Sequence, residues 1–230
     1  MIDIGNRLAE IQGEIQALSA KNETQSLPAQ VVAVSKKQPL ELMRQLIAAN
    51  HTSFGENYLQ DALPKIQALT QYNLDWHFIG AVQSNKTRDI AQHFNWVHAV
   101  DRFKIAQRLS DQRTSDNDRL NICLQVNIDD DPSKAGLLPE RCLSLAEAVK
   151  ALPNLRLRGL MTILKAGQSD LEIRRSYAKT KVLFETIKAQ VSLEDFDTLS
   201  MGMSNDWKIA VEEGATLVRI GTAIFGARSS

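Results

Sequence analysis

Two adjacent lysines, Lys36 and Lys37, close an apolar β-branched run just before a proline (residues 31–39, VVAVSKKQP). A strand of that kind delivers an amine to the rim of a hydrophobic interior at the point where the chain turns. Desolvating an ammonium is costly, so a lysine held there is a candidate to form a Schiff base with a carbonyl compound. The alternative is that both side chains reach past the strand end into water. Two later stretches carry groups suited to holding an anion, residues 200–206 (SMGMSND) and residues 219–226 (RIGTAIFG). Small residues there let backbone N–H groups approach a phosphate. Ser200, Ser204 and Thr222 offer hydroxyls, and the helices that follow present positive dipole ends. Ordinary capping, with Ser204 as an N-cap and Gly221 in a tight turn, would use the same residues.

The elements that must position these groups follow from hydrophobic periodicity. Ile4, Leu8, Ile11, Ile15 and Leu18 recur at steps of four and three, which predicts an N-terminal helix, and residues 22–30 form a polar connector. Strands are then expected at 31–35, 52–55, 75–79, 96–100, 121–127, 155–163, 197–201 and 216–220. Between them lie helices started by Pro39, Asn57, Ser84, Asp101, Pro139 and Ser204, with Gly214 as a C′ residue, Pro64 as a possible kink and a short last helix at 223–225. A long helix carries Ile173, Tyr177, Thr180, Phe184 and Ile187 on one face. Eight strands alternating with helices predict a single (β/α)8 TIM barrel, one domain over residues 1–230 with residues 1–30 as an extra helix and connector. The competing open doubly wound sheet would carry a glycine-rich turn after its first strand, where this chain has Lys36, Lys37 and Gln38.

Composition narrows the function. Lysine plus arginine equals aspartate plus glutamate, so no global basic field exists to hold nucleic acid or an anionic membrane. No apolar run is long enough to span a bilayer, and charged residues interrupt the N-terminal segment, so no membrane partner and no signal peptide are expected. Cys123 and Cys142 form no close pair and are expected as buried free thiols in a reducing, cytoplasmic compartment.

A barrel of this type places its active site at the C-terminal ends of the strands, which brings forward Lys36, Asn57, His77, the Ser200–Met201–Gly202–Ser204 stretch, Arg219, Gly221 and Thr222. On the first strand Val32, Val34 and Lys36 share a face, and the bulkier pair suits the barrel interior, which favours Lys36 over Lys37. An inward lysine opposite a phosphate clamp suits a phosphorylated carbonyl compound bound as an imine. Arg219 could face a ring nitrogen, and because arginine accepts no proton it would hold pyridoxal phosphate while weakening it as an electron sink. Asn57 and His77 could line the ring, or serve as a helix cap and a satisfied rim histidine. His51, His93 and His98 sit like helix-end or strand residues, and residues 129–131 read as a solvated acidic turn.

The segments AVSKKQP (33–39), FGENY (54–58), WHFIG (76–80) with QSNK (83–86), RGLM (158–161), SMGMS (200–204) and VRIGTAIFG (218–226) closely resemble the YggS/PROSC family of pyridoxal phosphate homeostasis proteins. The resemblance implies a barrel similar to the N-terminal domain of alanine racemase, with Lys36 as cofactor lysine. It also implies phosphate contacts from the seventh and eighth loops and Arg219 at the ring nitrogen. Lys37 stands where the family pattern has threonine, Ala135 where it has serine, and the loop after the sixth strand lacks the family's proline. The expected function is a monomeric, cytoplasmic protein that holds pyridoxal 5′-phosphate as a Schiff base on Lys36 for intracellular homeostasis, with PLP-dependent apoenzymes as recipients. Robust catalysis is not expected, since racemisation needs a second base that the racemase takes from a further domain and partner subunit, and the chain ends at Ser230. The alternatives are a PLP-dependent racemase or lyase and a cofactor-free lysine aldolase.

Overall fold

A computed structural model describes residues 3–21, 27–193 and 195–226. Eight parallel strands close into a barrel in chain order. They are β1 (Gln30–Val34), β2 (Ser53–Glu56), β3 (Asp75–Phe78), β4 (Trp96–Val100), β5 (Leu120–Val126), β6 (Leu155–Thr162), β7 (Thr198–Ser200) and β8 (Leu217–Ile220). Pairing of β1 with β8 closes the ring and rules out the open doubly wound sheet. The helices are α1 (Ile4–Ser19), α2 (Leu40–Ala48), α3 (Leu59–Ala68), α4 (Thr87–His93), α5 (Phe103–Gln112), α6 (Pro139–Lys150), α7 (Asp170–Val191), α8 (Trp207–Glu212) and α9 (Thr222–Phe225).

The alternation of strand side chains divides the core in two. Val31, Ala33, Phe54, Phe78 and Val97 belong to the main cluster between barrel and helices, while Ala99, Cys123 and Met161 form a separate cluster with Trp96 and Ile163 inside the barrel. Val32 lies opposite Arg219 and touches the position of Gly55, where an added Cβ would come within 2.9 Å of Val32. Val32 and Val34 therefore face inward, the face from which Lys36 continues. Helix α1 buries Ile4, Leu8, Ile11 and Ile15 against α2, α8 and α9, so the N-terminal helix packs on the barrel itself.

Several expected helix starts are displaced. Helix α3 begins at Leu59 rather than Asn57 and runs through Pro64 without ending. Ser84 opens a single 3₁₀ turn, and α4 follows from Thr87, whose hydroxyl bonds the Ser84 carbonyl at 2.9 Å. Asp101 pairs with Arg102 instead of capping α5. Ser204 does not cap α8, which starts at Trp207. Helix α2 starts at Leu40 as expected, with Pro39 as its N-cap residue. The connector expected at 22–30 lies partly outside the described residues, and residues 129–131 are a turn in which Asp129 accepts from the Lys165 N–H and the Ser176 hydroxyl. Cys123 and Cys142 are buried free thiols, each pushed up to about 12 by burial.

Candidate functional site

Lys36 leaves β1 in a β-turn, closed at 2.9 Å by the Gln38 N–H to the Ser35 carbonyl, and is half-buried at the barrel mouth. Lys37 takes the third turn position with φ of 59°, a left-handed conformation that glycine adopts at no steric cost, and its side chain is exposed. The strained Lys37 thus turns the chain while Lys36 stays at the rim. Lys37→Gly is expected to leave stability unchanged or raise it by up to about 1 kcal/mol, read from urea midpoints.

Behind this turn lies a buried ion pair. Lys65 on α3 donates to Glu56 Oε1 and to the Ser35 carbonyl, each at 2.7 Å, and the Ser35 hydroxyl donates to the same carboxylate oxygen at 2.6 Å. Glu56 is fully buried and Lys65 nearly so. The peptide that carries Lys36 is therefore gripped from the helix side of the sheet.

Inside the barrel a polar chain crosses the floor of the mouth. Arg219 NH1 donates to the Ser200 carbonyl and to Ser200 Oγ, both at 2.6 Å, and NH2 donates to the Thr162 carbonyl at 2.8 Å. Ser200 Oγ meets His98 Nδ1 at 2.8 Å, and His98 Nε2 meets His77 Nδ1 at 3.0 Å. His77 stacks on Trp96, with centroids 5.4 Å apart, and the Arg158 guanidinium covers the other end of that unit. Burial holds both imidazoles neutral. His77 is pushed down to about 3, first by desolvation and then by His51, and His98 lies well below its ordinary value through desolvation, His77 and Arg219.

The loops after β7 and β8 are tied together and tied down. Ser204 Oγ accepts from the Gly221 and Ala223 N–H groups at 3.3 and 3.4 Å, joining one loop to the other. Gly202 has φ of 92°, and a Cβ there would lie 2.6 Å from Ala210, so only glycine lets this loop sit on α8. Met201 is fully buried beneath the loop, while Thr222 is exposed at the first position of α9. Asp206 accepts from the Met203 N–H at 2.6 Å and from the Tyr177 hydroxyl at 2.8 Å. Desolvation and Asp206 together push the Tyr177 phenol up, which keeps it a donor.

The structure brings Lys36, Arg219, Ser204, Gly221 and Asn57 to one end of the barrel, with His77 and Ser200 deeper inside. Asn57, just beyond β2, has a buried Oδ1 without a hydrogen-bond partner. His98, Tyr177, Asp206 and Lys65 were not singled out from the sequence. Only tertiary contacts reveal them, although an isolated histidine inside an apolar strand was a usable signal for His98.

A family model described as alanine racemase, N-terminal domain, matches residues 7–229. The pyridoxal phosphate homeostasis protein of Pseudomonas aeruginosa is 48% identical over 228 residues, spanning 99% of this chain and 97% of that protein. The chain belongs to the pyridoxal phosphate homeostasis protein family. A structural relative is PipY of Synechococcus elongatus, solved without PLP, with a TM-score of 0.88, 35% identity and coverage of 97% of this chain and 100% of PipY. The PipY structure with PLP bound gives a TM-score of 0.85 at 34% identity over the same shares of the two chains. Tested against the group that this family's name implies, the mouth residues fit it. They offer an amine at Lys36, a guanidinium at Arg219 and an unpartnered acceptor at Asn57, beside a loop pair pinned by Ser204.

This loop pair gives a prediction for the family fold. Tyr177→Phe removes the donor that holds Asp206 and with it the 201–206 loop. A loss of about 1 kcal/mol in stability and up to about tenfold in PLP affinity is expected, from thermal melts and a fluorescence titration.

Proposed function

We propose that this chain binds pyridoxal 5′-phosphate covalently at the barrel mouth and serves intracellular PLP homeostasis, holding the cofactor rather than turning over a substrate. The observation that carries the reading is the pairing of β1 with β8, which sets the buried Arg219 guanidinium on the strand beside Val32, four residues before the half-buried Lys36 on the same strand-to-turn segment. The names of the relatives and the PLP-bound PipY structure support it.

When bound, the cofactor supplies an electrophilic aldehyde and an electron-withdrawing pyridine ring. Lys36 provides the amine that joins the aldehyde. Asn57 would serve the ring, and the backbone of Met201, Gly202, Gly221 and Thr222, braced by Ser204, would hold the phosphate. Arg219 would be the residue to meet the ring nitrogen and, having no proton to accept or easily lose, would leave that nitrogen unprotonated. An unprotonated ring draws electrons weakly, which favours holding over turnover.

The chain acts as a monomer in the cytoplasm, where buried Cys123 and Cys142 stay reduced, and PLP-dependent apoenzymes receive its cargo. The test is to load the protein with PLP and mix it with an aminotransferase apoenzyme. The expected result is recovery of aminotransferase activity with no racemisation or lyase turnover above that of free PLP. Turnover abolished by Lys36→Ala would instead make it a PLP enzyme, and failure to take up PLP would point to a cofactor-free lysine aldolase.

A further inference from the structure

Four buried polar side chains inside the barrel have an order that the distances and donor chemistry fix. Arg219 can only donate, so Ser200 Oγ is an acceptor in the 2.6 Å contact with it. The Ser200 hydroxyl is fully buried, and its remaining contact is His98 Nδ1 at 2.8 Å. The hydroxyl proton must therefore point at His98 Nδ1, which leaves the His98 proton on Nε2. That N–H faces His77 Nδ1 at 3.0 Å, so His77 in turn carries its proton on Nε2. The stack of His77 on Trp96 fixes the far end of the chain.

We infer that Ser200 and His98, backed by His77, are positioning residues for Arg219. They form a one-directional hydrogen-bond chain across the barrel that holds the guanidinium at the floor of the cofactor pocket. This inference rests on the reading of the mouth as a PLP site and adds to it. Ser200 and His77, expected from the sequence to touch the cofactor, act on it through Arg219. The chain has a physical reason. A guanidinium held only by carbonyl oxygens of β6 and β7 can slide along them, whereas a hydroxyl that is itself oriented by an imidazole gives NH1 one fixed acceptor. Neutral imidazoles are required, because an imidazolium at His98 would present a second N–H to Ser200 and repel Arg219. Burial supplies that condition.

The test uses full-length protein labelled with ¹⁵N-histidine, together with Ser200→Ala and Ser200→Thr. In wild-type protein near neutral pH, both His77 and His98 are expected as neutral Nε2–H tautomers. A proton on His98 Nδ1 would reverse the chain and overturn the inference, and this reading needs no variant to fold. In Ser200→Ala, borohydride is expected still to fix PLP on Lys36. The absorption band of the bound cofactor should move, PLP affinity should fall about tenfold, and Ser200→Thr should restore both. An unchanged band and affinity in Ser200→Ala, with only a lower melting temperature, would reduce the chain to a structural feature and overturn the inference. Wild-type protein that takes up no PLP overturns the reading of the site as well. Normal wild-type uptake beside an indifferent Ser200→Ala overturns the positioning role alone.

Discussion

Lys36→Ala is expected to abolish covalent retention of pyridoxal phosphate and to weaken total binding by at least about a hundredfold, since only the phosphate and ring contacts remain. Lys37→Ala, one residue away, should keep both the label and the affinity. The difference comes from the turn after β1. Lys37 has φ of 59° and an exposed side chain, whereas Lys36 is half-buried at the mouth, two residues beyond the inward-facing Val34. A spectroscopic titration of each variant, followed by borohydride reduction, separates the two lysines. Equal loss in both variants would mean that the family's threonine-to-lysine change at position 37 has moved the chemistry.

The second large effect is on stability. Lys65→Met should destabilise the fold by about 3–5 kcal/mol, because it leaves the fully buried Glu56 carboxylate without its cation. The same change frees the Ser35 carbonyl, so PLP uptake at Lys36 should fall as well. Adding Glu56→Leu to Lys65→Met removes the stranded charge and should recover most of the stability. It should not recover the uptake, because the Ser35 peptide is still unheld. Urea midpoints for the two variants decide the first point and PLP titrations the second. Equal stability in the single and double variants would contradict a buried ion pair at this place.

These expectations show which parts of the molecule can be read without coordinates. The barrel was legible because short strand-like runs alternate with helical patterns across short turns, an order that survives any error of a residue or two at the ends of each element. The inward face of β1 was legible from side-chain size alone, as Val32 and Val34 fill the interior while Ala33 packs beneath the helices. Caps were less legible. Ser204 looks like an N-cap in sequence, yet its hydroxyl reaches 17 residues ahead to the Gly221 N–H, a contact no local pattern encodes. His98 was passed over for a related reason. Register shifts on both sides of β5 make the parity of the inner residues irregular there, and the partner of His98 at Ser200 is 102 residues away. Tyr177 was read only as a helix-face residue and Lys65 was not read at all, since the polar atoms they hold belong to other elements of the barrel.

The central claim is that one amine, at Lys36, anchors the cofactor. It is tested most directly by incubating wild-type protein with pyridoxal phosphate, reducing with borohydride and mapping the modified peptide by mass spectrometry. The account predicts a single phosphopyridoxyl group on Lys36. A label on Lys37, or no label on either lysine, would contradict it.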